Sequence, residues 1–242
     1  MGITASNFSF SLNKGRVISN KYEVIQLLGC GWEGEVYKVR ELFTGIERAA
    51  KLFYPHRNPN DKTARYHAEK LHKLKDCSIL IHYHTQEKII FKKIPTTVLI
   101  SEYIEGPLLS DYVNSLYGKR LMPHEALRFL YALAKGVESI HQANEYHGDL
   151  HTDNIIICKH GINIDLKFVD LFNINQSKRD NKKEDLLSII HVFHEVLGGA
   201  RHYVKHPDII KKICCGLKAS LIFKKFKTVS QLCSHIETIN WI

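Results

Sequence analysis

Long apolar runs are missing from this sequence. Its longest apolar stretches fall far short of the roughly 20 residues that a membrane-spanning helix needs, which excludes an integral membrane protein. Internal repeats and low-complexity segments are also missing, which excludes the collagenous and coiled-coil classes. The N-terminal segment lacks a charged region followed by an apolar one, so we expect no secretory signal. Its MGITAS start fits the short N-myristoylation pattern, although a single acyl chain anchors a protein only weakly.

Cysteine is present, but in no pattern that builds a metal site or a disulfide scaffold. The six cysteines share no metal-ligand spacing, and the two adjacent ones are poorly placed to bridge each other. This inventory is typical of a reduced, cytoplasmic protein. The six are Cys30, Cys77, Cys158, Cys214, Cys215 and Cys233.

Acidic residues are fewer than basic ones. The 242-residue chain has 34 Lys and Arg against 25 Asp and Glu, which gives a formal charge of +9, and it carries 15 His. The lysines are spread along the chain, which favours a basic soluble protein, and no groove-reading motif is present. We therefore expect no specific nucleic-acid partner. With 44% hydrophobic residues the chain can form a substantial core.

The order of periodic segments predicts an α+β chain in two parts. Residues 1–20 are polar, without a sustained period, and are predicted to form an N-terminal arm. A small antiparallel β lobe with one helix is predicted over 21–103, and a larger, mainly helical lobe over 104–242. The predicted strands are 22–28, 35–39, 48–53, 79–83, 98–102, 155–158 and 166–170. The predicted helices are 63–75, 108–117, 124–143 and 184–197, with two more towards the C-terminus.

The first group of residues that indicates chemistry joins a glycine-rich turn to a lysine on the next strand. Glycines allow a hairpin backbone to close over phosphates, because no Cβ blocks the approach and the N–H groups can point at the anion. The lysine would reach the α- and β-phosphates, and a valine would form part of an apolar roof over a purine. The residues are Gly29, Gly31, Gly34, Val36, Ala49 and Lys51.

A second group lies in the segment HGDLHTDN, immediately before a predicted strand. Asp149 can accept or orient the proton of an attacking hydroxyl, and Asn154 can offer its amide oxygen to a metal ion. Asp170, at the end of a second short strand, is placed to hold a magnesium ion that bridges phosphates. Three such groups, in this order, predict phosphoryl transfer from a nucleotide.

These motifs resemble those of the protein kinase superfamily over nearly all of residues 22–237. LGCGWEGEVYKV resembles the nucleotide loop, RAAK the strand that bears the phosphate lysine, and VLISEYIEG the last strand and hinge. The resemblance implies a bilobal protein-kinase-like fold that uses ATP and Mg²⁺. It also implies that Asp185 is the buried acid that ties down the catalytic loop. The implied nucleotide-binding residues are Leu28, Gly29, Cys30, Gly31, Trp32, Glu33, Gly34, Val36, Ala49, Lys51, Glu102, Tyr103, Ile104 and Asp111.

Three departures from the family pattern affect regulation and substrate docking. Gly148 stands where an Arg usually precedes the catalytic Asp, so activation through a loop phosphate is not expected. Phe172 stands where a Gly follows Asp170-Leu171, which reduces backbone freedom there. The segment from Asp170 to Asp185 is very short and has no Ala-Pro-Glu, so the usual peptide-docking platform is missing or rebuilt.

The partner of Lys51 is a fourth departure. The family pattern places a helix Glu where this sequence has His67, and Glu69 lies two residues further on, about 200° around the helix. The sequence leaves open whether Lys51 pairs with Glu69, with His67 or with neither.

The resemblance implies transfer of the γ-phosphate of ATP to a hydroxyl, most simply of Ser or Thr in a protein. In that reaction Asp149 and Lys51 are the catalytic residues, and Asn154 and Asp170 hold the metal. One alternative is a small-molecule kinase, because HGDLH also resembles the catalytic loop of aminoglycoside and choline kinases. Another is a nucleotide-binding pseudokinase, which the absent helix Glu and Phe172 would favour.

Overall fold

The structure, a computed structural model, describes residues 8–160, 163–171 and 177–239. The chain divides into two compact units. Unit 1 contains the chain up to Lys75 together with Ile81–Ile104, and unit 2 contains Asp76–Leu80 together with the chain from Glu105 onward. The α+β prediction, with a β-rich unit and a helical unit, is confirmed.

Unit 1 is built on one antiparallel sheet of six strands in the order β1-β2-β3-β4-β6-β5. Its interior-facing side chains are mostly aliphatic and aromatic, which gives the sheet an apolar core. The described residues of this unit include one α-helix, α1. The elements are β1 (Val17–Ile18), β2 (Tyr22–Cys30), β3 (Gly34–Glu41), β4 (Glu47–Phe53), α1 (Lys62–Lys73), β5 (Tyr83–Phe91) and β6 (Ile94–Glu102).

The predicted strand at 79–83 is wrong. In that range Leu80 makes an isolated bridge to Phe168, and Tyr83 is the first residue of β5, which pairs with β6 as a hairpin. The hairpin turns at Lys92 and Lys93, which both take positive φ angles, 48° and 67°. A Lys-Lys pair is not a usual hairpin-turn sequence, since Asn and Gly adopt that backbone more readily.

Residues 8–12 pack on the sheet. Phe10 is 2% exposed, and its ring lies 5.6 Å from that of Tyr54 and 5.1 Å from that of Phe91. Its backbone N–H donates to the buried Glu35 carboxylate at 2.9 Å, which also accepts a hydrogen bond from the hydroxyl of Tyr37. This segment is therefore part of the core of unit 1.

The described residues of unit 2 are mainly helical, and two of its segments pair as a short antiparallel two-stranded sheet. The long central helix α3 begins at Pro123. Proline suits the first helical position, because the backbone N–H that it lacks would make no hydrogen bond within the helix there. Helix α4 begins six residues earlier than predicted, because the side chain of Ser177 caps it by accepting from Asp180 N. The elements are α2 (Leu109–Ser115), α3 (Pro123–Gln142), β7 (Ile155–His160), β8 (Asn163–Phe168), α4 (Lys178–Val196), α5 (Ala200–Tyr203), α6 (Asp208–Cys214), α7 (Ala219–Lys225) and α8 (Val229–Glu237).

Within the described ranges, no helix combines the length and the apolar composition that crossing a bilayer requires.

Candidate active site

The glycine-rich segment of unit 1 is a tight turn between two strands. β2 continues through Gly29 to Cys30, β3 starts at Gly34, and Gly31 N donates to Gly34 O at 2.9 Å. A Cβ added to Gly34 would lie 1.9 Å from the carbonyl oxygen of Leu52. The close approach of β4 therefore requires glycine at this position. At Gly29 and Gly31 an added Cβ would meet no heavy atom within 4 Å, so an external group can approach the backbone there.

We expect Gly34→Ala to destabilise unit 1 by about 1–3 kcal/mol, because the added methyl group forces β3 and β4 apart. Urea unfolding followed by fluorescence measures this. Gly31→Ala is the matched control, since its added carbon meets open space, and we expect it to stay within about 0.5 kcal/mol of wild type. Equal stability of the two variants would show that the Leu52 contact does not constrain the turn.

The predicted non-glycine residues Leu28, Cys30 and Trp32 of this segment lie at the surface of unit 1. Leu28 is 39% exposed, Cys30 is exposed, and Trp32 is 61% exposed, with the Arg57 guanidinium 3.9 Å from its ring centre. Val36 pairs in the sheet with Gly29 on one side and with Lys51 on the other. The sheet thus places the valine between the glycine turn and the lysine.

Lys51 lies on β4 and pairs with a carboxylate of the glycine-rich turn. Its Nζ is 2.8 Å from Oε2 of Glu33, and the same oxygen is 2.9 Å from Nε2 of His67 on α1. Burial by itself would raise the pKa of Glu33, but the hydrogen bond from His67 and the charge of Lys51 lower it to about 2. Glu33 is therefore ionised throughout the neutral range. Glu69, the helix carboxylate considered from the sequence, is exposed.

The predicted adenine-edge and ribose residues have these positions within their own units. Glu102 ends β6 and its carboxylate accepts from His82 N at 3.2 Å. Tyr103 follows, with the ammonium of Lys38 4.3 Å from its ring centre, and Ile104 is half-buried. Ala49 pairs with Ser101 in the sheet. In unit 2, Asp111 is exposed in the first turn of α2.

The catalytic-loop candidates of unit 2 are brought together. Asp149 is exposed, and Asn154 Nδ2 donates to its carboxylate at 3.1 Å and to its carbonyl oxygen at 2.9 Å. Because the Asn154 nitrogen faces Asp149, the amide oxygen is the atom that can bind a cation. His151 Nε2 lies 3.6 Å from Asp149 Oδ2.

As predicted, the buried carboxylate of Asp185 fixes the backbone of this loop by hydrogen bonds. The side chain is 1% exposed, and its two oxygens accept from the backbone N–H groups of His147 and Gly148, each at 2.8 Å. His141 on α3 donates from Nε2 at 2.9 Å, a contact that the sequence did not reveal. Burial by itself would raise the pKa of Asp185, but the His141 hydrogen bond and the field of His147 bring it below its ordinary value.

Asp170 follows β8 by two residues, so it does not end the strand as predicted. Its φ of 54° is in the left-handed region, which a non-glycine residue adopts only under local constraint. Phe172 lies outside the described residues. Among the residues that the structure describes, no group of three or more His, Cys, Asp or Glu forms a metal cluster. The two predicted oxygen donors, Asn154 and Asp170, suit Mg²⁺, which commonly takes one or two protein ligands and completes its shell from phosphates and water.

The pair formed by Asp149 and His151 predicts a specific pH response. The carboxylate raises the pKa of His151, and the imidazole in turn lowers the pKa of Asp149. The stability that the protonated His151 contributes is thus present below its unfolded-state pKa and is lost as the pH rises through the raised value. We expect an NMR titration of His151, assigned by the loss of its signal in His151→Gln, to have a midpoint above about 6.5. The midpoint should fall in Asp149→Asn, and an unchanged midpoint would contradict the pairing.

Comparison with known proteins matches these features to one family. Residues 22–215 match the protein kinase domain family. The chain belongs to the protein kinase family. A probable serine/threonine-protein kinase of Clostridium perfringens is 25% identical over 195 residues, which cover 78% of this chain and 25% of that protein. The serine/threonine-protein kinase PrkC of Bacillus subtilis is 26% identical over 146 residues, which cover 59% of this chain and 22% of that protein.

The kinase fold is also found in the solved structures. The crystal structure of the PknI kinase domain of Mycobacterium tuberculosis superimposes with a TM-score of 0.67 at 17% identity, covering 94% of this chain and 98% of that one. The predicted kinase-like fold is therefore confirmed. This kinase chain spans about a quarter of the length of the two curated relatives named above.

Proposed function

We propose that this protein transfers the γ-phosphoryl group of ATP to the hydroxyl of Ser or Thr in a protein. The observation that supports this most directly is the catalytic loop. The loop exposes the Asp149 carboxylate, and its backbone is fixed by two 2.8 Å hydrogen bonds to the buried Asp185. The protein kinase domain match and the names of the two bacterial relatives, both serine/threonine-protein kinases, support Ser/Thr specificity.

In the proposed mechanism, each unit supplies different groups. Unit 1 binds the nucleotide: the open backbone at Gly29 and Gly31 accepts phosphates, and Lys51 binds them by its charge. Unit 2 holds the acceptor: Asp149 orients the hydroxyl and takes its proton as the oxygen attacks the γ-phosphorus, while the bond from that phosphorus to the β–γ bridging oxygen breaks and ADP leaves. Asn154 and Asp170 would hold Mg²⁺, which neutralises charge on the phosphates when bound. Catalysis then comes from positioning and charge stabilisation.

The remaining predicted contacts belong to the same proposal. We propose that Glu102, Tyr103 and Ile104 line the adenine edge and that Asp111 contacts the ribose. Leu28, Cys30, Trp32, Val36 and Ala49 would cover the purine and the phosphates. A reducing, cytoplasmic location is also proposed, because all six cysteines are thiols and none is bonded to another.

The test is phosphoryl transfer from ATP labelled at the γ-phosphate, with Mg²⁺ and casein as a generic acceptor. Acid hydrolysis should release labelled phosphoserine or phosphothreonine, and a parallel Asp149→Asn preparation should incorporate the label at least about 100-fold more slowly. Label that passes only to added aminoglycosides or amino alcohols would show a small-molecule kinase instead. Binding of ATP with Mg²⁺ but no transfer to any acceptor would identify a pseudokinase.

A further inference from the structure

Three side chains of unit 1 form one bridge that joins a strand, a turn and a helix. Oε2 of Glu33 accepts from Nζ of Lys51 at 2.8 Å and from Nε2 of His67 at 2.9 Å. A single carboxylate oxygen thus connects the β4 lysine to helix α1. Glu69, the carboxylate that α1 itself carries, is exposed.

Burial makes this bridge energetically important. The side chains of Lys51, Glu33 and His67 are 14%, 12% and 5% exposed. Charged hydrogen bonds that are shielded from water are stronger than surface ion pairs. Removing one partner of a buried pair leaves the other charge without compensation, so the three groups are expected to act as a unit.

The backbone around Glu33 is fixed before any ligand arrives. Glu33 O accepts from Tyr54 N at 2.9 Å, which ties the turn to the end of β4. On one side of Glu33 the Arg57 guanidinium lies 3.9 Å from the ring centre of Trp32. On the other side Gly34 fits against Leu52 with no room for a Cβ. The carboxylate is therefore presented to Lys51 by a constrained turn.

We propose that Glu33 is the positioning residue for Lys51, and that His67 holds Glu33 in place from α1. The glycine-rich turn thereby supplies both the backbone that approaches the phosphates and the carboxylate that orients the phosphate-binding lysine. This inference rests on the proposed function, because it assigns a role to Lys51 in nucleotide binding. The competing arrangement is one in which the Glu33 carboxylate blocks Lys51 and must leave before ATP can bind.

A double-mutant cycle on ATP affinity separates positioning from blocking. Isothermal titration calorimetry with ATP and Mg²⁺ is run on wild type, Lys51→Met, Glu33→Gln and the double variant. If Glu33 positions Lys51, we expect Lys51→Met to weaken ATP binding about tenfold when Glu33 is present. We expect the same change to weaken ATP binding by less than about twofold when Glu33 is already replaced by Gln. Additive losses, or tighter binding of ATP by Glu33→Gln, would overturn the proposal.

A transplanted carboxylate gives a second, independent readout. Lys51 Nζ and His67 Nε2 lie 2.8 and 2.9 Å from the same oxygen of Glu33, so we expect a carboxylate at position 67 of the helix to approach the same ammonium. We expect Glu33→Gln to lower kcat about 10- to 100-fold and the double change Glu33→Gln/His67→Glu to recover most of that loss. Failure to recover would show that the carboxylate is needed for another purpose, which overturns the positioning role.

Two control variants show whether a loss of activity comes from the missing carboxylate or from a general disturbance of the structure. Glu69→Gln makes the same chemical change at an exposed site on α1, and we expect its kcat and ATP affinity to stay within twofold of wild type. Glu33→Asp keeps the charge with a shorter reach, and we expect an intermediate kcat. A kcat equal to that of wild type in Glu33→Asp and in Glu33→Gln would overturn the proposal.

The two experiments distinguish failure of this inference from failure of the proposed function. A wild-type protein that transfers no phosphate refutes the proposed function, and the affinity cycle then still decides whether Glu33 and Lys51 act as a unit. If wild type and Glu33→Gln transfer phosphate equally well, the proposed function stands and the inference about Glu33 is refuted. A wild-type protein that does not bind ATP with Mg²⁺ refutes both.

Discussion

Asp149→Asn is expected to lower the rate of phosphoryl transfer by about 10²- to 10⁴-fold, the range that loss of a general base produces. The amide has the shape of the carboxylate but cannot accept a proton at neutral pH. In addition, the Asn154 amide nitrogen, which donates to the carboxylate at 3.1 Å, would face another amide and lose part of its orientation. Single-turnover transfer from labelled ATP measures the effect.

The matched control for this prediction is Asp153→Asn. Asp153 is exposed in the same loop, and the change is chemically identical. We expect its rate to stay within about threefold of wild type, while both variants keep wild-type ATP affinity. Comparable rates for Asp149→Asn and wild type would show that Asp149 neither takes nor orients the proton.

Asp185→Ala is expected to destabilise the protein by about 3–5 kcal/mol. The change removes the carboxylate that accepts hydrogen bonds from two loop N–H groups, those of His147 and Gly148, and a buried donor that loses its acceptor costs about 1–3 kcal/mol. Because a typical domain is stable by only about 5–15 kcal/mol, this is a large fraction of the total. Urea unfolding at neutral pH measures the loss.

The pH dependence of the Asp185 contribution has a definite sign. Since its pKa is lowered in the folded state, the stabilisation is present above the unfolded-state pKa and is lost as the pH falls through the folded value. The difference in stability between wild type and Asp185→Ala should therefore shrink in acid. Glu184→Gln, exposed on the same helix, should change stability by less than about 0.5 kcal/mol. Should Asp185→Ala not fold, Asp185→Asn, which keeps one acceptor oxygen, gives the intermediate value.

Local sequence patterns predicted the helices of the fold better than its edge strands. The apolar period of α3 and the proline at its start were sufficient to place that helix to within one residue. β5 was missed because it is the edge strand of the sheet, where the residues that point inward include Thr85 and Glu87. Polar side chains on both faces give no apolar alternation to detect.

The chemistry of the site could be predicted where it depends on neighbours in sequence, and not where it depends on contacts across the fold. Asp149 and Asn154 are five residues apart on one short loop, so their spacing alone brought them together. The pairing of Lys51 with Glu33 depends on how a three-residue turn folds back over β4. The sequence analysis sought that partner on the helix, where position 67 is a histidine. The sequence features that could have indicated this partner of Lys51 are the acidic residue Glu33 in the turn and the histidine at position 67 of the helix.

Residues 8–12 pack into the core of unit 1 although they lie outside the segment that matches the kinase family. The family match begins at residue 22, yet Glu35, 2% exposed, receives its backbone hydrogen bond from Phe10, and Phe10 stacks with Tyr54. A fragment cut at the boundary of the match would leave a buried carboxylate short of a donor and uncover aromatic surface. The segment that matches the family is thus smaller than the segment that forms the core of unit 1, and fragments of this protein should include residues 8–12.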